Sequence, residues 1–133
     1  MAVIGAVHYY SAGLNTAAGA NVLAGIATWT LGSRDTTTQV PLWVLGAFGA
    51  LTGGLVIVTW AGPQSLLPGL AQILGLATIW FRTPKVVITT RLCIEPLWIW
   101  YNVLGGAAYG LAASTAMFIG GIYRLIKLRN EQT

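Results

Sequence analysis

Residues 1–33, 36–81 and 96–123 contain no Asp, Glu, Lys or Arg. Charge-free runs of that length constrain this fold more than any motif does. A water-soluble domain of 133 residues must cover a large surface with polar and charged side chains. Here seven Lys or Arg and three Asp or Glu make up 8% of the chain, against about a quarter in an ordinary soluble domain, and 56% is apolar. This excludes an ordinary soluble enzyme, a disordered tail and a disulfide-stapled secreted domain. Two possibilities are left: a polytopic membrane protein, or a subunit buried on nearly all sides by copies of itself.

The lone Cys93 cannot form an intrachain disulfide or a cysteine-based metal site. A net charge of +4 is no denser than membrane loops require, so no nucleic-acid partner is expected. The first 33 residues lack a basic n-region, and a cleavable signal is not expected.

Turn residues divide the charge-free runs into four apolar segments. The first, about 3–31, ends in the polar cluster Gly32–Gln39 before Pro41. The second, 41–61, starts at a proline suited to a first helical position and is long enough, at about 31 Å, to cross a hydrocarbon core. Gly62–Ser65 forms a short break. The third segment, 66–81, is about 24 Å of helix and either spans a thinned bilayer or re-enters it. A polar loop, 82–96, follows, in which the β-branched run Val86–Thr90 favours extended backbone. The fourth segment, 97–123, runs into a basic tail, 124–133, where Arg124, Lys127 and Arg129 lie at headgroup level. The expectation is an all-α polytopic membrane protein: one domain over 1–133, with about four transmembrane helices in a small antiparallel bundle.

Tryptophan concentrates at bilayer interfaces, and Trp29, Trp43, Trp60, Trp80, Trp98 and Trp100 all fall near segment ends. Four spans put both termini on one side with the Gly62–Ser65 turn. Arg124, Lys127 and Arg129 then oppose Arg34, Arg82, Lys85 and Arg91, and no positive-inside bias results.

Small residues recur at helix-packing spacing in Gly49/Gly53, Gly106/Gly110 and Ala71/Gly75. Such pairs let helix backbones approach closely, either within this chain or against another subunit. His8, the one histidine, is the sole candidate cofactor ligand; near a helix end beside Tyr9 and Tyr10 it reads more naturally as an interfacial hydrogen-bonding residue. Asn15, Asn21 and Asn102 each need a partner at membrane depth, most simply across helices. Arg91 and Glu95 make a loop clamp or intersubunit contact, with Cys93 as a small hydrophobe between them. No ionisable residue lies within an apolar segment, and no hydrolase, metal or phosphate-binding motif occurs, so no catalytic or metal residues and no enzymatic activity are expected.

The leading expectation is a non-catalytic accessory subunit of a larger membrane complex of the respiratory or photosynthetic kind. It would sit in an energy-transducing inner or plasma membrane, with other membrane subunits and lipids as partners. No cofactor is expected of the chain itself, although a subunit seam leaves room for a pigment or haem. The alternatives are a self-assembling pilin-like or viral coat protein packed in identical copies, and a small passive channel lined by Asn, Ser and Thr.

Overall fold

A computed structural model of the chain describes residues 2–32, 39–81 and 83–131. Among these are six α-helices and no strand: α1 (Ala2–Ser11), α2 (Asn15–Gly32), α3 (Leu42–Val58), α4 (Leu66–Phe81), α5 (Pro84–Gly105) and α6 (Ala108–Glu131), with a 3-10 turn at Pro63–Ser65. Segments 41–61 and 66–81 correspond to α3 and α4. The other boundaries differ from the sequence expectation. Segment 3–31 is split into α1 and α2, and segment 97–123 is split between α5 and α6. The loop 82–96 is helical from Pro84 onward, and the tail 124–133 continues α6 to Glu131. Arg34, Arg82 and Thr133 lie outside the described residues.

Both splits have the same local cause. Gly13 and Gly106 take left-handed φ values of 73° and 66°. Around Gly13, the Leu14 amide donates to the Tyr9 carbonyl at 2.8 Å and the Gly13 amide to the Tyr10 carbonyl at 3.0 Å. Around Gly106, the Ala107 amide donates to Asn102 at 3.0 Å and the Gly106 amide to Val103 at 3.4 Å. These are two Schellman caps with glycine at the left-handed position, and each satisfies carbonyls that a helix end leaves open. Residue 106 therefore terminates α5 and does not share a helix face with Gly110.

The β-branched run Val86–Thr90 is helical despite its preference for extended backbone. Thr83 and Pro84 supply an extended N-cap residue and a first-turn proline, and α5 then packs on α6 more extensively than any other pair of helices. Packing overrides an intrinsic preference of this small size.

Specific contacts fix each helix antiparallel to the next. A Cβ on Gly5 would meet Asn21 across the α1–α2 hairpin, one on Gly19 would meet Leu55 of α3, one on Gly69 would meet Val56 of α3, and one on Gly121 would meet Leu92 of α5. Helix α3 thus sends consecutive residues, Leu55 and Val56, onto a glycine of α2 and a glycine of α4. Three turns, at 12–14, 59–65 and 106–107, lie at one end of the bundle. The ends of α2, α4 and α6 lie at the other, while α1, at ten residues, reaches only partway along, with Gly5 against Asn21 in the first half of α2. The correction matters for topology, because with six helices the end of α6 lies opposite the Gly62–Ser65 turn.

Two stretches are long and apolar enough to cross a bilayer by themselves, Pro63–Phe81 and Ala108–Glu131, with the apolar α3 somewhat shorter. That is two, where four were expected.

Helices α2 and α4 carry a related sequence. Leu23-Ala24-Gly25-Ile26-Ala27-Thr28 in α2 parallels Ile73-Leu74-Gly75-Leu76-Ala77-Thr78 in α4, with Gly19 and Gly69 in matching positions. Pro41-Leu42-Trp43 likewise recurs as Pro96-Leu97-Trp98. The interior is built from small side chains. Ala17, Ala18, Ala20 and Ala27 of α2 are all buried, as is Ala71 of α4.

Candidate functional site

The polar interior lies where α1, α5 and α6 meet. Tyr9 donates its hydroxyl proton to Asn102 Oδ1 at 2.8 Å. The Asn102 amide nitrogen donates to the Trp98 carbonyl at 2.7 Å and faces Ser114 Oγ at 3.5 Å. Asn102 is 1% exposed and uses both ends of its amide. Gly110 of α6 makes this possible: a Cβ there would collide with Asn102 Oδ1 and lie 2.5 Å from the Tyr9 hydroxyl. Tyr9 stacks on Trp98 at 5.7 Å between centroids, and Tyr101 stands edge-on to both.

His8 adjoins this junction. Its ring lies 5.1 Å from that of Tyr109 and 5.5 Å from that of Tyr9. Its Nε2 is buried without a hydrogen-bond partner among the described residues. The Tyr9–Asn102–Ser114 contacts form a hydrogen-bonded latch between α1, α5 and α6.

Sequence reasoning placed Glu95 in a polar loop, and it missed the position this residue occupies. It lies midway along α5 and is 5% exposed, one turn before Trp98 and two before Asn102 on the same face. Arg91, one turn earlier, is exposed. The expectation that no ionisable residue lies within a segment fails here, because α5 begins well before Pro96. The signal that could have found it was the repeat of Pro-Leu-Trp, since Val40, buried ahead of Pro41, occupies the place that Glu95 occupies ahead of Pro96.

The remaining expected residues are dispersed. Asn21 bonds back to the Ala17 carbonyl at 3.0 Å. Asn15 begins α2 and is exposed. Thr16 and Thr59 join α2 to the end of α3, with the Thr16 hydroxyl 2.9 Å from the Thr59 carbonyl. Trp29, Trp43, Trp60 and Trp100 are exposed and Trp80 is partly buried. Trp98 is partly buried and packs against the aromatic cluster. Arg124, Lys127 and Arg129 are exposed on the last two turns of α6, where Lys127 lies 3.9 Å from Glu131.

Of the small-residue pairs, Ala71 is buried, while Gly75, Gly49 and Gly53 have no atom within 4 Å of the position a Cβ would take. Gly46 and Gly54 share that openness. Beside them, Gly19, Val22 and Leu23 of α2 and Ala47, Ala50 and Gly54 of α3 line an apolar groove of about 920 Å³.

No curated protein and no solved structure matches the chain. A family model, Imp-YgjV, described as a bacterial inner membrane protein, matches residues 1–132. The charge-free helices α1 to α4, the small-residue packing and the latch between α1 and α5 are thus those of a membrane domain, and the chain belongs to the Imp-YgjV family of bacterial inner membrane proteins.

Proposed function

We propose that this protein is a non-catalytic structural subunit that packs against other helices in a larger inner-membrane assembly. The observation that carries the reading is the bare face of α3. Gly46, Gly49 and Gly53 recur at helical spacing, and among the described residues no other element comes within 4 Å of where their Cβ atoms would lie. Helices in lipid gain nothing from burying leucine against leucine, since the acyl chains are as apolar; they associate where small residues let backbones come together. A glycine-rich face turned inward serves its own bundle, whereas one turned outward offers a seat to a further helix. The junction around Asn102 supports the same reading, because its amide and the Tyr9 hydroxyl bond across helices.

The test is co-purification from bacterial membranes in mild detergent, comparing the wild type with the double variant Gly49→Leu, Gly53→Leu. The expected result is a stoichiometric partner of different sequence that the double variant loses while still folding. A wild-type protein that elutes alone, or as a lattice of identical chains, overturns the reading.

A second reading, a passive or ion-coupled path, has one observation in its favour. Glu95 is a buried carboxyl in a helix of a membrane protein, and such residues commonly mark transport routes. Uptake or proton flux in vesicles that Glu95→Gln abolishes would favour this path over the structural role.

A further inference from the structure

We propose that the end of the bundle bearing Lys85, Arg91, Arg124, Lys127 and Arg129 is a docking surface for the anionic phospholipid headgroups of the cytoplasmic leaflet, and that it holds the start of α5 and the end of α6 on the cytoplasmic side. The inference goes beyond the structural role proposed above and stands independently of any protein partner.

It rests on how the helices alternate. A four-segment plan divides the cations almost evenly between two faces. The two Schellman turns at Gly13 and Gly106 add two helices and reverse that division. Lys85 and Arg91 lie in the first half of α5, and Arg124, Lys127 and Arg129 lie in the last two turns of α6. Because α5 and α6 are antiparallel, with Leu92 against Gly121, Arg91 comes level with the turn that begins at Tyr123 and Arg124. All five side chains are exposed.

The acids at this end do not cancel the charge. Glu131 lies near Lys127 at 3.9 Å, and Glu95 is buried in the bundle. The opposite end carries no charged residue among the described ones: its three turns run through Ser11–Asn15, Thr59–Leu66 and Gly105–Ala108. So one-sided a distribution is the pattern by which cytoplasmic loops are recognised. A cluster of exposed cations just beyond an apolar span is also the arrangement that anionic headgroups complement, and the attraction fades within a Debye length.

Two measurements on the full-length protein test the proposal. In a Cys93→Ser background, a membrane-impermeant maleimide added to intact spheroplasts should label Gln64→Cys, and should label Glu131→Cys only after permeabilisation. The reverse pattern, or equal labelling of both sites, overturns it. Second, the detergent-solubilised protein is offered equal phosphatidylglycerol and phosphatidylcholine, and retained lipid is read by native mass spectrometry. Phosphatidylglycerol should be retained preferentially, the preference should weaken with added salt, and it should fall roughly fivefold for each cation replaced across Arg124→Gln, Lys127→Gln and Arg129→Gln. Equal retention of the two lipids by the wild type, or displacement of phosphatidylglycerol by inorganic phosphate, overturns the docking surface. The salt dependence reads the same interaction in unsubstituted protein, so it holds even if a variant folds poorly.

Discussion

Gly110 and Gly49 carry the same absent side chain under opposite constraints. A methyl at Gly110 would enter the space held by Asn102 Oδ1 and the Tyr9 hydroxyl. Overpacking of that kind costs about 1–3 kcal/mol, so Gly110→Ala should lower the thermal midpoint in detergent. At Gly49 nothing lies within 4 Å, and alanine is the better helix former by about 1 kcal/mol. Gly49→Ala should therefore leave the isolated protein as stable as before or raise its midpoint. Tyr9→Phe removes one interhelical hydrogen bond, for which about 0.6 kcal/mol is the average measured within membrane bundles. A double-mutant cycle with Asn102→Ala should return a coupling of that order, and a coupling near zero would mean that the latch contributes nothing. Glu95→Gln keeps the shape and removes a buried ionisable group from α5, and in the structural role its unfolding midpoint should hold or rise. The sequence alone revealed which residues were small and which were polar. It could not reveal which glycines face a neighbour, because that depends on helix rotation, and an unbroken apolar run carries little periodic signal to set it.

At the scale of elements, α3 and α4 were legible because Pro41, the Gly62–Ser65 break and Arg82 punctuate them with residues foreign to an apolar helix. The breaks at 12–14 and 106–107 were not, because their punctuation is glycine, which this chain also uses for packing. With 17 glycines spread along it, a left-handed cap and a packing contact look alike until the backbone is seen. The two uses separate under substitution. Forcing an alanine into the left-handed region costs roughly 1–2 kcal/mol, so Gly13→Ala and Gly106→Ala should each destabilise their hairpin by about that amount. Amide hydrogen exchange would show the loss confined to α1–α2 in one variant and α5–α6 in the other. Helix α5 was missed for a different reason. The polar residues between Lys85 and Glu95 read as a loop, while contacts with α6, distant in sequence, hold them helical.

For the whole molecule, the number of helices decides the meaning of every charge. Over four segments the cations read as an even split, whereas the five among the described residues form a one-sided cluster over six helices, so errors of one glycine at each of two turns removed the strongest topological signal in the chain. Membrane character survived those errors because it follows from composition, which is indifferent to where helices stop. The uncharged turns at 12–14, 59–65 and 106–107 also bear on how the protein reaches its membrane. Each joins two antiparallel helices into a hairpin whose tip holds only small, apolar or neutral polar groups. Such a tip crosses the hydrocarbon without dragging an ion through it, so the hairpins α3–α4 and α5–α6, which hold the two stretches long enough to span, can each enter while the charged end of the bundle stays behind. Gln64→Arg should slow that entry, leaving chains in mixed orientation that maleimide labelling would resolve.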